Sequence, residues 1–300
     1  MAHRHSTLED YERRLLRAQA LIQENLDQPL TPTELAAAAH FSLHHFHRIF
    51  RAQIGETVMQ HIRRLRLERA ARKMRGSGLR LIDLALEAGY DSHEAFTRAF
   101  IARFGVAPSE YREQPSARLA GWARERPAAT VAVRDCPAIR VAFMRHHGGY
   151  LSVGATGQGM RDWLERRGLR APMYGVCPDD PDVTEEARLR FDACAAVEPT
   201  FTADGAVGTG EIPAGSYAVG VHVGPYERLH ETYLDIIGRW FPTSGYELAP
   251  EPVVEHYLND PSCAAANDLQ TEVRVRIADG VQLIPTRMSA STHCGVPPGR

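Results

Sequence analysis

Arg48 and Arg98 occupy the same place in a pattern that this 300-residue chain carries twice, S-x-x-x-F-x-R-x-F-x-x-x-x-G, starting at Ser42 and again at Ser92. Beside the arginines the first copy offers His44 and His47, and the second His93 and Glu94. Aromatic residues four apart, Phe46 with Phe50 and Phe96 with Phe100, share one buried face of a helix. The polar residues then point away from that face. A cationic, hydrogen-bonding surface presented twice on rigid helices suits double-stranded DNA.

Further along, the strand-like run Val254-Glu255-His256-Tyr257 carries Glu255, which spacing alone does not distinguish from an ordinary surface carboxylate of a strand. Aligning Asp180-Pro181 with Asp260-Pro261 puts Gly175 opposite Glu255, so one half supplies an anion and the other supplies space. His256 falls on the other strand face. His40, His44, His45 and His47 have spacings that could ligate a metal, but no cysteine or carboxylate accompanies them, and neither a metal nor a cofactor is expected. The glycines of Gly154-Ala155-Thr156-Gly157-Gln158-Gly159 match no phosphate-binding loop and read as the start of a helix.

Positioning these groups requires particular elements. Each pattern follows an Ala-rich apolar segment, 35–39 or 84–88, so each unit reads as helix, turn, helix. A first helix is predicted over 8–25, with Leu15, Ala18, Leu21 and Ile22 inward. Thr31-Pro32-Thr33-Glu34 is a capping box, and Ser42 and Ser92 precede the two outward-facing helices as caps. A helix over 56–75 joins the units, and about twenty residues at about 1.5 Å rise span about 30 Å. One turn of DNA is about 34 Å. A monomer could therefore reach two successive major-groove segments, on a site without a palindrome.

From residue 130 the pattern changes to strands at 130–134, 140–146, 173–177, 192–197, 216–223, 254–258 and 270–277, with helices at 153–167 and 226–241. His146-His147-Gly148-Gly149-Tyr150 answers His222-Val223-Gly224-Pro225-Tyr226, which makes this region a second internal repeat. The fold class expected is therefore multidomain: an all-α tandem helix-turn-helix domain (1–113), a Pro/Ala/Arg-rich linker (114–129), and an α+β domain (130–284) of two pseudo-symmetric strand-helix-strand-strand repeats. A Ser/Gly/Pro-rich tail at 285–300 is expected to be disordered.

Charge divides the same way. Residues 1–115 hold 17 Lys and Arg against 14 Asp and Glu, and the remainder holds 18 against 23. That modest basicity favours a polyanion weakly, since cations act only when clustered on one face. Five cysteines without a C-x-x-C pair suit a reduced interior. No run approaches the roughly 18 apolar residues of a membrane span. A soluble cytoplasmic protein is expected, with no membrane partner.

Residues 8–112 resemble the AraC/XylS-type DNA-binding domain, most specifically through Ala88-Gly89-Tyr90-Asp91-Ser92-His93-Glu94-Ala95-Phe96 and Phe104-Gly105-Val106-Ala107-Pro108. Residues 130–277 resemble the GyrI-like effector-binding domain through Asp179-Asp180-Pro181, Gly224-Pro225-Tyr226 and Tyr257-Leu258-Asn259-Asp260-Pro261. The resemblance implies a sequence-specific transcription regulator, an activator, that answers to a small molecule and contacts RNA polymerase. Base-edge contacts would fall on His44, His47, Arg48, His93, Glu94 and Arg98. These types fit, because Arg pairs with guanine O6 and N7 and Glu accepts from cytosine N4. Ser42, Arg51, Arg63 and Thr97 would contact phosphates. In the second domain the resemblance implies a cationic or amphipathic effector held by Glu255 among Tyr150, Trp163, Tyr226, Trp240 and Tyr257. It also leaves an alternative, a hydrolase of strained electrophilic toxins with Glu255 catalytic.

Overall fold

The computed structural model describes residues 2–76, 79–113, 129–202 and 207–282, the side chains of 2–9, 75–76 and 280–282 aside. Residues 114–128 of the expected linker and the whole expected tail lie outside the described residues.

Among the described residues seven helices come first: α1 (Ala2–Glu24), α2 (Pro32–Ala38), α3 (Leu43–Ile54), α4 (Val58–Gly76), α5 (Leu81–Glu87), α6 (His93–Phe104) and α7 (Pro108–Glu113). The capping box at Thr31 forms in full, with Glu34 reaching back to the Thr31 N–H. Ser42 accepts from His45 N and Ser92 from Ala95 N, which satisfies amides at the starts of α3 and α6. Both helices end on a left-handed glycine, Gly55 (φ 80°) and Gly105 (φ 77°), a conformation that costs a residue with a Cβ. The repeated glycine of the sequence pattern is thus a helix stop. Phe46, Phe50, Phe96 and Phe100 are fully buried, and each pair packs ring to ring at 5.4 or 5.5 Å. Two cores result, one around Phe46 with α1 and one around Phe96 with α7, strung along α4.

The α+β domain is one antiparallel sheet with strands β1 (Val131–Cys136), β2 (Ile139–His147), β3 (Met173–Cys177), β4 (Arg190–Ala196), β5 (Gly208–Ile212), β6 (Gly215–Val223), β7 (Tyr246–Leu248), β8 (Val253–Tyr257) and β9 (Gln270–Gln282). Helix α8 (Gly154–Arg166) follows β2, and a helical stretch over 229–244 follows β6, with a π-helical middle, Leu234–Trp240. The order β1-β6-β9-β8-β3-β4-β2-β5 is symmetric about the β8–β3 pair. Each half is strand-helix-strand-strand, and Gly175 lies in register with Glu255 across that pair.

Two strands, β5 and β7, fall outside the predicted runs. β5 reads Gly-Thr-Gly-Glu-Ile and carries too little apolar alternation to declare itself; it is ordered by pairing with β2. It mirrors β1, which pairs with β6, so each half extends the other's sheet. Helix α1 is also two-faced. Leu15, Ala18 and Ile22 pack into the first helical core, while Leu16 packs against the sheet with Phe143 and Val254.

Candidate nucleic-acid interface and effector pocket

Helices α3 and α6 each bury their phenylalanines and leave the opposite side open: His44, His47, Arg48 and Arg51 are exposed on α3, and Glu94 and Arg98 on α6, with His93 half-buried. The backbone N–H of Glu94 and the Ser92 hydroxyl hold the Glu94 carboxyl below its usual range, so it stays an acceptor. Arg63 is exposed on α4. Thr97 departs from the phosphate role expected of it. Its hydroxyl is buried without a hydrogen-bond partner among the described residues, because position 97 turns toward the helix packing rather than the open side. Arg48 also borders an open groove of about 660 Å³ with Tyr11, Arg14, His40 and His45. Arg14 reaches that groove from α1, donating to the His40 carbonyl at 3.2 Å, a neighbour that helical periodicity could not reveal.

In the second domain Glu255 is buried, and three donors converge on it. Tyr233 Oη donates to Oε1 at 2.5 Å, Tyr257 Oη to Oε2 at 2.5 Å, and Cys177 Sγ lies 3.8 Å from Oε1. Burial pushes the carboxyl up from 4.5, and the two phenols and the thiol draw it back down. Tyr226 packs edge-on against Tyr257 at 5.4 Å. Across the strand pair, a Cβ on Gly175 would come within 2.6 Å of Tyr257 Oη and 2.9 Å of Glu255 Oε2. The space that Gly175 supplies is therefore taken up by the tyrosine hydroxyl and the carboxylate themselves.

The expected aromatic wall assembles only in part. Tyr226 and Tyr257 stand beside Glu255, and Tyr150 donates to the Asp179 carbonyl at 2.5 Å, with the Cys177 thiol close enough to act on its phenol. Trp163 instead packs edge-on against Phe201 and under Arg167, and Trp240 stacks on Tyr246 at 5.7 Å. No described contact joins either indole to Glu255, because both fill the seams between helix and sheet in their own halves. Tyr233 was not anticipated. It sits one turn into the helical stretch, and only the close packing of that helix on the sheet brings it to the carboxylate.

Two family models match this chain, a helix-turn-helix domain of the AraC type over residues 35–114 and the GyrI-like small molecule binding domain over residues 129–278. The chain belongs to the AraC-type regulators that carry a GyrI-like domain. It is a DNA-binding transcription regulator with a small-molecule binding domain. The chain is 32% identical over 153 residues to the probable transcriptional regulator YgiV of Escherichia coli K12, covering 49% of this chain and 96% of that one. Over 94 residues, 31% of this chain and 32% of that one, it is 36% identical to the right origin-binding protein of Escherichia coli K12. Among solved structures, the EcmrR C-terminal domain aligns at 18% identity and TM-score 0.42, over 50% of this chain and 98% of that one. No helix among the described residues is long and apolar enough to cross a membrane.

Proposed function

We propose that this regulator reads an asymmetric DNA site with its two exposed helix faces and acts as an activator governed by a cationic or amphipathic molecule at Glu255. The observation that carries the DNA reading is the repeated geometry. Two helices with the same cap, the same paired phenylalanines and the same left-handed glycine stop expose Arg48 and Arg98 at equivalent positions, on units joined by the 19-residue α4, a strut of about 28 Å. His44, His47, His93 and Glu94 supply the remaining base-edge contacts, and Ser42, Arg51 and Arg63 the phosphate contacts. Thr97 is not included. A contact with RNA polymerase is supported by Ile82 and Leu86, which lie four residues apart on α5 and leave an exposed apolar strip on the first helix of the second unit. The protein works in the cytoplasm.

The effector class follows from charge. A buried carboxylate held only by neutral donors gains most from a cation, through pairing in a low dielectric and through the π faces of Tyr226 and Tyr257. The hydrolase alternative is not favoured, because the relatives that match this chain are transcriptional regulators.

Selection of duplexes from a random pool by the full chain, followed by footprinting, tests the DNA reading. A single non-palindromic motif of two parts is expected, protected by the wild type and lost in Arg48→Ala and Arg98→Ala. Unchanged footprints in both variants reject the assignment. A reporter driven by the recovered site, with and without tetraphenylphosphonium, then separates activation from repression.

A further inference from the structure

The loop between β3 and β4, residues 178–189, crosses from the GyrI-like domain onto the DNA-binding domain and touches both of its helix-turn-helix units. Val183 is 7% exposed and packs into the second helical core with Phe96, Phe100 and Met74. Two residues on, Glu185 accepts from Arg103 at the end of α6 at 2.9 Å. Arg188 donates to Glu56, between α3 and α4, at 2.7 Å. From the strut itself Arg72 donates to the Pro178 carbonyl at 2.8 Å. One short segment is thus pinned to the end of the first unit, the last third of the strut and the core of the second.

The internal repeat supplies a control for what these residues are for. The counterpart loop, 258–269, has the same backbone bonds. Asp180 and Asp260 each accept from the amide two residues on at 2.8 Å, and Gly148 and Gly224 each donate to the carbonyl of Leu189 or Leu269 at 2.9 Å. Asp179 and Asn259 both accept from the first amide of the following strand at 2.9 Å. Each loop closes with a short 3₁₀ turn, Glu186–Arg188 or Ala266–Asp268. The two loops therefore satisfy the same folding requirement. Their side chains differ where the first loop meets the helices: Val183 answers Cys263, Glu185 answers Ala265, and Arg188 answers Asp268, all three counterparts being exposed. Loop geometry alone does not call for the apolar anchor or for the ion pairs.

We infer that the 178–189 loop is a positioning element of the DNA-binding machinery, a brace that fixes the spacing between the two recognition helices. This rests on the DNA reading above and assigns to the small-molecule domain a direct part in it. Two rigid units joined by a single helix can flex about that helix. A segment fastened to both removes that freedom before DNA arrives, so less ordering entropy opposes simultaneous entry of both helices. The brace begins one residue past Cys177, whose thiol faces Glu255, and its Asp179 carbonyl accepts from Tyr150. Bonded and packed groups thus run from the pocket to the strut.

The test uses the full chain and the best duplex recovered by the wild type, beside the same duplex with one half scrambled, at one fixed ionic strength. One variant, Glu185→Ala with Arg188→Asp, carries the counterpart loop's residues and leaves the helical core intact; a second adds Val183→Ser. Both should bind the two-part duplex about tenfold or more weakly while the scrambled duplex is bound as by the wild type. Equal losses on both duplexes would mean a general loss of folding or charge, and no loss on either would mean a passive contact; each overturns the brace. If the wild type itself recovers no preferred duplex, the DNA reading falls and the brace falls with it.

Discussion

Gly175 and Glu255 face each other across the strand pair that forms the local twofold axis of the sheet. The axis relates two folds that are alike and two chemistries that are not. On one side a glycine admits the tyrosine hydroxyl, and on the other a carboxylate receives it. A symmetric scaffold has in this way been given one anionic centre.

Glu255→Gln tests that centre in two ways. Because the folded-state pKa is raised, the folded protein holds the proton more tightly than the unfolded chain, and stability is lost as pH rises from about 4.5 through the folded value. The variant should lack this loss and melt higher than the wild type at pH 7. It should also lose the thermal stabilisation that tetraphenylphosphonium gives the wild type, read as a shift in Tm. A variant stabilised as strongly as the parent would remove Glu255 from the site.

Acid stability depends on a buried imidazole. His61, packed edge-on to Phe50 and bonded to Glu56 at 2.8 Å, has its pKa lowered from 6.5 to about 4, mainly by burial. The unfolded chain takes up this proton first, so stability is full above pH 6.5 and falls between 6.5 and 4. The group contributes on the order of 3 kcal/mol across that window. Urea denaturation at pH 7, 5.5 and 4.5 should show the decline, with a shallower slope in His61→Gln.

Base and phosphate contacts separate by salt. Arg48→Ala or Arg98→Ala should cost about 1–3 kcal/mol of affinity for the selected duplex and relax preference at one position. Arg63→Ala should weaken all duplexes alike and reduce the slope of log K against log salt by about 1. Binding isotherms at several salt concentrations distinguish the two. Thr97→Ala, with its hydroxyl buried, should leave both slope and preference unchanged.

The two helix-turn-helix units should differ little in their tolerance of core damage. Phe46→Ala and Phe96→Ala each empty a fully buried site and should cost about 3–5 kcal/mol, whereas Ser42→Ala, which removes only the cap, should cost about 1 kcal/mol. Chemical denaturation measures both, and equal costs for Ser42 and Phe46 would contradict the assigned roles.

The sequence by itself determined whatever depends on neighbours along the chain. Helical spacing put Phe46 and Phe50 inside and Arg48 outside, the Thr31 box and the Ser42 and Ser92 caps marked helix starts, and the aligned Asp-Pro pairs set Gly175 against Glu255. Each is a local rule of period or hydrogen bonding, so no distant residue was needed to read it. Only the tertiary structure decided which groups meet from far apart. Tyr233 reaches Glu255 because a helix lies on the sheet, and Trp163 and Trp240 pack seams that no spacing marks. β5 is a strand because β2 offers it an edge. The loop at 178–189 reads like its repeat partner until the helical units are placed beneath it. Burial and long-range pairing are properties of the assembled molecule, and the residues that answer to them carry no period of their own.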